Sequence, residues 1–144
     1  MTLEENMTNE TGLPAPVSDP DSQPYWEAAA REELLLKRCT GCGQHHFPPR
    51  YLCPKCWSDA LEWTRSSGKG VVYSFTVMHR APMPAFAHRV PYVVALIDLE
   101  EGPRMMSNIV GDDALRTKVG GRVSVCFEER ADGSELSQFR RDWG

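Results

Sequence analysis

Four of the five cysteines fall into two pairs, Cys39-Thr40-Gly41-Cys42 and Cys53-Pro54-Lys55-Cys56, with ten residues between the pairs. Two residues between cysteines let both thiolates of a tight turn face one ion, and two such turns complete a tetrahedron of sulfur. Gly43, directly after the first pair, suits the sharp turn, because glycine takes positive φ without strain. The spacer is shorter than the ~15–20 residues common in ribbons. It still suffices for a hairpin, with Pro48-Pro49 breaking it near the middle. The expectation is a Zn²⁺ ion on Cys39, Cys42, Cys53 and Cys56. Four thiolates leave no open position for water, so the site reads as structural rather than catalytic. A rubredoxin-type iron site uses the same ligand set, and spacing does not separate the two metals.

Other uses of the cysteines fit less well. Two disulfides suit an exported protein, and no secretory signal is visible at the N-terminus. A thioredoxin-like redox pair wants one Cys-x-x-Cys beside a βαβ unit, and here there are two pairs and no such unit. His45 and His46 lie close to the first pair, but with four thiolates present they read as surface residues of the hairpin. Cys126, inside the strand-like run Val-Ser-Val-Cys-Phe, reads as a buried small hydrophobe rather than a nucleophile.

Charge divides the chain. Residues 1–24 hold Glu4, Glu5, Glu10, Asp19 and Asp21 with no Lys or Arg, so the net charge of −4 comes from this end. With three prolines and little to bury, residues 1–22 are expected to be a disordered acidic tail, most simply a solvated leader. No run approaches the ~20 apolar residues of a membrane span, and a cytoplasmic protein is the default reading.

Pro24, three alanines and charged helix formers predict a short helix after Gln23, with Tyr25 and Trp26 as an aromatic end that must dock somewhere. Leu34 to Arg38 reads as a first ribbon strand leading into Cys39. Beyond Gly68 the pattern turns to β. Strands are expected over 71–78, 91–99, 104–110, 122–128 and 135–139, with turns at Glu100–Pro103 and Asp132-Gly133 and a capped helical turn at Asp112–Leu115. Five strands in ~70 residues match a small closed barrel such as the OB-fold. The expected fold is mainly β: residues 23–66 as helix plus rubredoxin-like zinc ribbon, and 67–144 as a five-stranded OB-fold barrel.

The order of these motifs carries a resemblance. An aromatic-ended helix and a four-cysteine ribbon precede Val-Tyr-Ser-Phe-Thr-Val, Pro-Tyr-Val-Val-Ala-Leu-Ile-Asp-Leu-Glu-Glu-Gly-Pro-Arg and Gly-Gly-Arg-Val-Ser-Val-Cys-Phe-Glu. Over about residues 22–141 the chain resembles the stand-alone zinc-ribbon/OB-fold proteins of acyl-CoA metabolism, long labelled a domain of unknown function. Trp57 departs from the pattern, standing where glycine is frequent. The resemblance implies an accessory subunit that partners a thiolase-like enzyme, such as an acyl-CoA thiolase or a steroid side-chain aldolase. The partner would hold the catalytic residues, while this chain stabilises the assembly or shapes its substrate channel.

The residues agree with that expectation. There is no Ser-His-Asp set, no glycine-rich phosphate loop and no His-Glu-x-x-His, and His79 and His88 lie in a proline-rich loop with no orienting carboxylate. In that loop, residues 79–90, Met83 and Phe86 are candidates for contact with an acyl chain or a partner, and Arg80 and Arg89 for a CoA phosphate. Tyr25 and Trp26 are further candidates for a partner contact. The plainer reading of the loop is a long connection whose apolar residues cover the barrel end. Nucleic-acid binding is the rival function, since ribbons and OB-folds both serve it. Phosphate binding draws on many Lys and Arg, however, and a pI near 5.6 fits it poorly. Tyr73 and Phe75 suit base stacking or the core equally well.

Overall fold

The computed structural model describes residues 22–130 and 132–142, so the acidic tail expected over residues 1–22 lies, up to Asp21, outside the described residues. The chain opens with helix α1 (Gln23–Ala29), where Pro24 occupies the first turn, a place at which its missing N–H costs nothing. Strands β1 (Leu35–Cys39), β2 (His45–His46) and β3 (Leu61–Arg65) follow and form a three-stranded antiparallel sheet in the order β2-β1-β3. The cysteine pairs stand at the ends of this sheet, the first at the end of β1 and the second in the long connection between β2 and β3.

Five further strands close a barrel: β4 (Lys69–Met78), β5 (Tyr92–Leu99), β6 (Arg104–Val110), β7 (Arg122–Glu129) and β8 (Glu135–Arg141). The order is β4-β5-β6-β8-β7, with β7 pairing back to β4 and only the β6–β8 contact parallel. This closed arrangement is that of an OB-fold. Strand β5 shows how the sequence builds it: Val93, Ala95, Ile97 and Leu99 alternate inward with a period of two and are all buried.

Ribbon and barrel share one core. Tyr25 from α1 and Leu34 and Leu36 from the ribbon join Val72, Val93, Ile97, Ile109, Val123 and Phe139 of the barrel in a single apolar cluster. The joint between them is polar and specific. Glu101, in the β5–β6 turn, accepts from Ser66 Oγ and from the Ser67 N–H, each at 2.8 Å. Burial alone would raise the Glu101 pKa, but the Ser67 amide and the Ser66 hydroxyl outweigh it and hold the carboxyl below its ordinary value.

One expectation of local structure needs correcting. The helical turn near residue 113 exists as a 3₁₀ turn (Ala114–Arg116), but Asp113 makes no side-chain cap. Thr117 closes it from the other end, its Oγ1 donating to the Ala114 carbonyl at 2.6 Å. Strand β5, apolar on both faces in sequence, buries one face fully and the other only partly.

Candidate metal centre and neighbouring surfaces

Each cysteine pair is wrapped by backbone amides. The Cys42 N–H points at Cys39 Sγ (3.4 Å), and the Lys55 and Cys56 N–H groups point at Cys53 Sγ (3.4 and 3.5 Å). The sulfurs converge, with Cys39 and Cys56 3.5 Å apart and Cys42 and Cys53 3.7 Å apart, and all four lie within 4.8 Å of one another. These separations are far beyond a disulfide bond of ~2.05 Å. They match the ~3.8 Å edge of a sulfur tetrahedron drawn around an ion at ~2.3 Å. Cys39 and Cys53 are buried while Cys42 and Cys56 face outward, so the cluster is embedded on one side only.

The electrostatics favour a cation. The Cys42 amide, together with the other donors around it, draws the Cys39 thiol down to about 6. The Cys56 amide does the same, in direction, for Cys53. Cys56 feels a lowering pull from the Ser58 amide, yet the adjoining sulfur of Cys39, burial and the other two thiols push it up to about 12. Four thiolates at this spacing repel one another, and a divalent ion removes that obstacle. The donor set fits zinc.

Both knuckles use the same backbone device. Gly43 (φ +80°) donates its N–H to the Cys39 carbonyl at 2.7 Å, and Trp57 (φ +65°) donates its N–H to the Cys53 carbonyl at 2.9 Å. Glycine suits the first position; the second holds a tryptophan that is 74% exposed.

The histidines next to the first knuckle do not both lie at the surface. His46 is only 7% exposed; it pairs with Lys37 of β1 and lines a cleft of about 400 Å³ whose other wall is the Glu101–Arg104 turn. Neither ring nitrogen finds a partner among the described residues. Burial, then Lys37 and Arg50, push its pKa below the ordinary histidine value. Its neighbours Gln44 and His45 give no local hint of this burial. Cys126 is half-buried rather than buried, and burial pushes its thiol up.

The remaining sequence candidates fall in two places. Tyr25 is 5% exposed, inside the chain's own core, with Trp26 packed edge-on against it and half-buried. In the β4–β5 connection, Phe86 sits in a 3₁₀ turn (Pro84–Phe86) and packs on Tyr92, ring centroids 5.8 Å apart. Arg89 pairs with Glu128 at 3.0 Å, Met83 is half-buried, and Arg80 is exposed. The structure does not bring the loop candidates and the aromatic helix together at one site. Tyr73, at a β-bulge in β4, points outward with the Arg104 guanidinium 3.4 Å from its ring centroid.

Residues 26–62 match the family description "ChsH2, rubredoxin-like zinc ribbon domain", and residues 63–128 match "ChsH2, C-terminal OB-fold domain". A "DUF35 domain-containing scaffold protein" of Methanocaldococcus jannaschii is 40% identical over 104 residues, covering 71% of this chain and 73% of that protein.

The chain belongs to the DUF35/ChsH2 family.

Other members differ in length and in the enzymes they are named for. A "probable enoyl-CoA hydratase alpha subunit" of Thermomonospora curvata is 36% identical over 127 residues, and the chain spans 88% of itself but 39% of that protein. The "benzoylsuccinyl-CoA thiolase subunit BbsA" of Geobacter metallireducens is 33% identical over 75 residues, 52% of this chain and 49% of that one. Among solved structures, a chain of the "Ltp2-ChsH2(DUF35) aldolase" superposes with a TM-score of 0.78 at 35% identity, covering 90% of this DUF35 chain and all of that one.

Proposed function

We propose that this chain is the non-catalytic, zinc-holding subunit of an acyl-CoA-processing complex, in which a thiolase-like partner carries out thiolytic or retro-aldol cleavage of an unusual acyl-CoA. The chain stabilises the partner or shapes its substrate channel. One observation carries the reading: the likeness to a chain of the Ltp2-ChsH2(DUF35) aldolase extends over the whole of that chain, ribbon and barrel alike. The thiolase-subunit name of BbsA and the hydratase-subunit name of the Thermomonospora relative both support an acyl-CoA substrate for the complex.

Zinc belongs to this reading as a structural ion held by Cys39, Cys42, Cys53 and Cys56. Once bound, it cross-links the end of β1 to the β2–β3 connection and couples their folding to metal. The half-buried Cys126, its thiol pushed up by burial, is a poor nucleophile. Arg104 already occupies one face of Tyr73, one of the two aromatics that a single-stranded nucleic acid would stack on. No helix among the described residues is long and apolar enough to cross a membrane. The reading places the chain in the cytoplasm, where free thiols stay reduced.

The test is recovery of a tagged chain from its native host at native abundance. A thiolase-like polypeptide in fixed stoichiometry is expected. Recovery of the folded, metal-loaded chain with no such polypeptide would overturn the proposal.

A further inference from the structure

The second knuckle holds a contradiction that ligation does not resolve. Trp57 occupies a left-handed backbone position (φ +65°), the equivalent of Gly43 in the first knuckle, and a bulky side chain there is a backbone outlier. Trp57 is 74% exposed, so most of its side chain meets solvent. Leu52, also exposed, directly precedes Cys53, whose N–H bonds to the Ser58 carbonyl at 2.8 Å across the same turn. A strained position that carries a large, uncovered indole is explained by what the indole contacts outside this chain.

The charge around it points to the kind of surface it meets. Residues 34–58 contain Lys37, Arg38, Arg50 and Lys55 and no Asp or Glu, and the exposed Asp59 follows directly. Arg38 is matched by Glu62 at 3.1 Å, and Lys37 lies over the Trp63 ring at 4.8 Å. Arg50 and Lys55 are exposed and have no ion-pair partner among the described residues. An exposed tryptophan with two exposed cations in the same β2–β3 connection has the composition of an interface hot spot, and such cations suit an anionic rim.

We infer that the second zinc knuckle is the docking surface for the partner subunit: Trp57 and Leu52 enter an apolar pocket, and Arg50 and Lys55 meet carboxylates at its rim. The inference rests on the proposed function, since the partner is the thiolase-like subunit named there. It gives the zinc a purpose in assembly, because the ion shapes the turn that presents Trp57.

The probe is the thiolase-like polypeptide recovered with the wild-type chain, purified and titrated against variants of the full chain. Trp57→Gly removes the indole and relaxes the backbone, so zinc content and thermal midpoint hold or rise while affinity falls ~100-fold. Leu52→Ser leaves the left-handed position untouched and gives an independent reading, with a ~10-fold loss expected. Arg50→Glu with Lys55→Glu slows association and reverses its salt dependence. Wild-type affinity in Trp57→Gly and Leu52→Ser overturns the inference and leaves the proposed function standing. Recovery of no thiolase-like polypeptide by the wild type removes both. Other occupants would also overturn it: self-association of the wild type abolished by Trp57→Gly, or faster hydrogen exchange at residues 51–58 of the isolated chain after removal of residues 1–21.

Discussion

The hydroxyl of Tyr25, on the helix that opens the described chain, lies 2.6 Å from Ser137 Oγ on the last barrel strand, 112 residues away in sequence. This contact, with the buried ring beneath it and Phe47 at 5.5 Å between centroids, ties helix, ribbon and barrel into one unit. Tyr25→Phe should cost about 1 kcal/mol, the net worth of one hydrogen bond. Tyr25→Ala, which also empties the core site, should cost ~3–5 kcal/mol. Denaturant melts of both variants check the ordering. Equal midpoints for Tyr25→Ala and wild type would mean that the helix is not part of the cooperative unit.

Metal removal should act on the ribbon first. A chelator, or Cys39→Ser or Cys56→Ser, is expected to release about one Zn²⁺ per chain and to expose the amides of residues 35–65 to exchange, with smaller changes in the barrel. Atomic absorption with site-resolved hydrogen exchange reads both. Iron in place of zinc would show as colour.

Gly68 marks where ribbon meets barrel. Its φ is +78°, and a Cβ there would stand 2.4 Å from Val125 Cγ1 on β7. Its carbonyl accepts from the Val125 N–H at 2.7 Å, so the backbones cannot part without losing that bond. Gly68→Ala should therefore destabilise by ~1–3 kcal/mol. An unchanged thermal midpoint would show that the joint is loose.

Much of this organisation is written locally. The cysteine pairs, Pro24 at the helix start and the β-branched runs after Gly68 each announce their element through neighbours in sequence. What is not local is not legible. The parallel β6–β8 contact pairs Ile109 with Phe139, and no residue between them signals it. His46 lines a cleft whose other wall lies 55 residues further on, and Tyr25 reaches Ser137, 112 residues away. Trp57 is visible in the sequence as a departure from glycine, but its exposure and its backbone conformation emerge only from the folded knuckle.

Loop 79–91 is fastened to β7 by charge. Burial would raise the Glu128 pKa, but Arg89 and Arg130 bond to it and hold it below the ordinary carboxylate range. A carboxyl with a depressed folded-state pKa contributes stability above its unfolded value, ~4.3, and loses it as pH falls through the folded value. Loop exchange should therefore stay slow at neutral pH and accelerate below about pH 4. Glu128→Gln should reproduce the fast loop at pH 7, at a cost of ~1–2 kcal/mol given its partial exposure. A pH-independent loop in the wild type would contradict this.

The loop side chains Met83, Phe86, Arg80 and Arg89 test whether the substrate channel reaches this chain. Met83→Ser with Phe86→Ser should raise the apparent KM of the complex for acyl-CoA, and Arg80→Ala with Arg89→Ala should weaken any CoA contact and its salt sensitivity. Wild-type kinetics in both pairs would make the segment a plain connector.

The most direct measurement is steady-state cleavage of acyl-CoA by three samples: this chain alone, the thiolase-like partner alone, and the reconstituted pair. A supporting subunit predicts no turnover from the chain alone and at least a ~10-fold higher rate, or a clear gain in stability, for the pair over the partner. Turnover by the isolated chain that is lost in Cys126→Ala would contradict it, because the catalytic residue would then lie here.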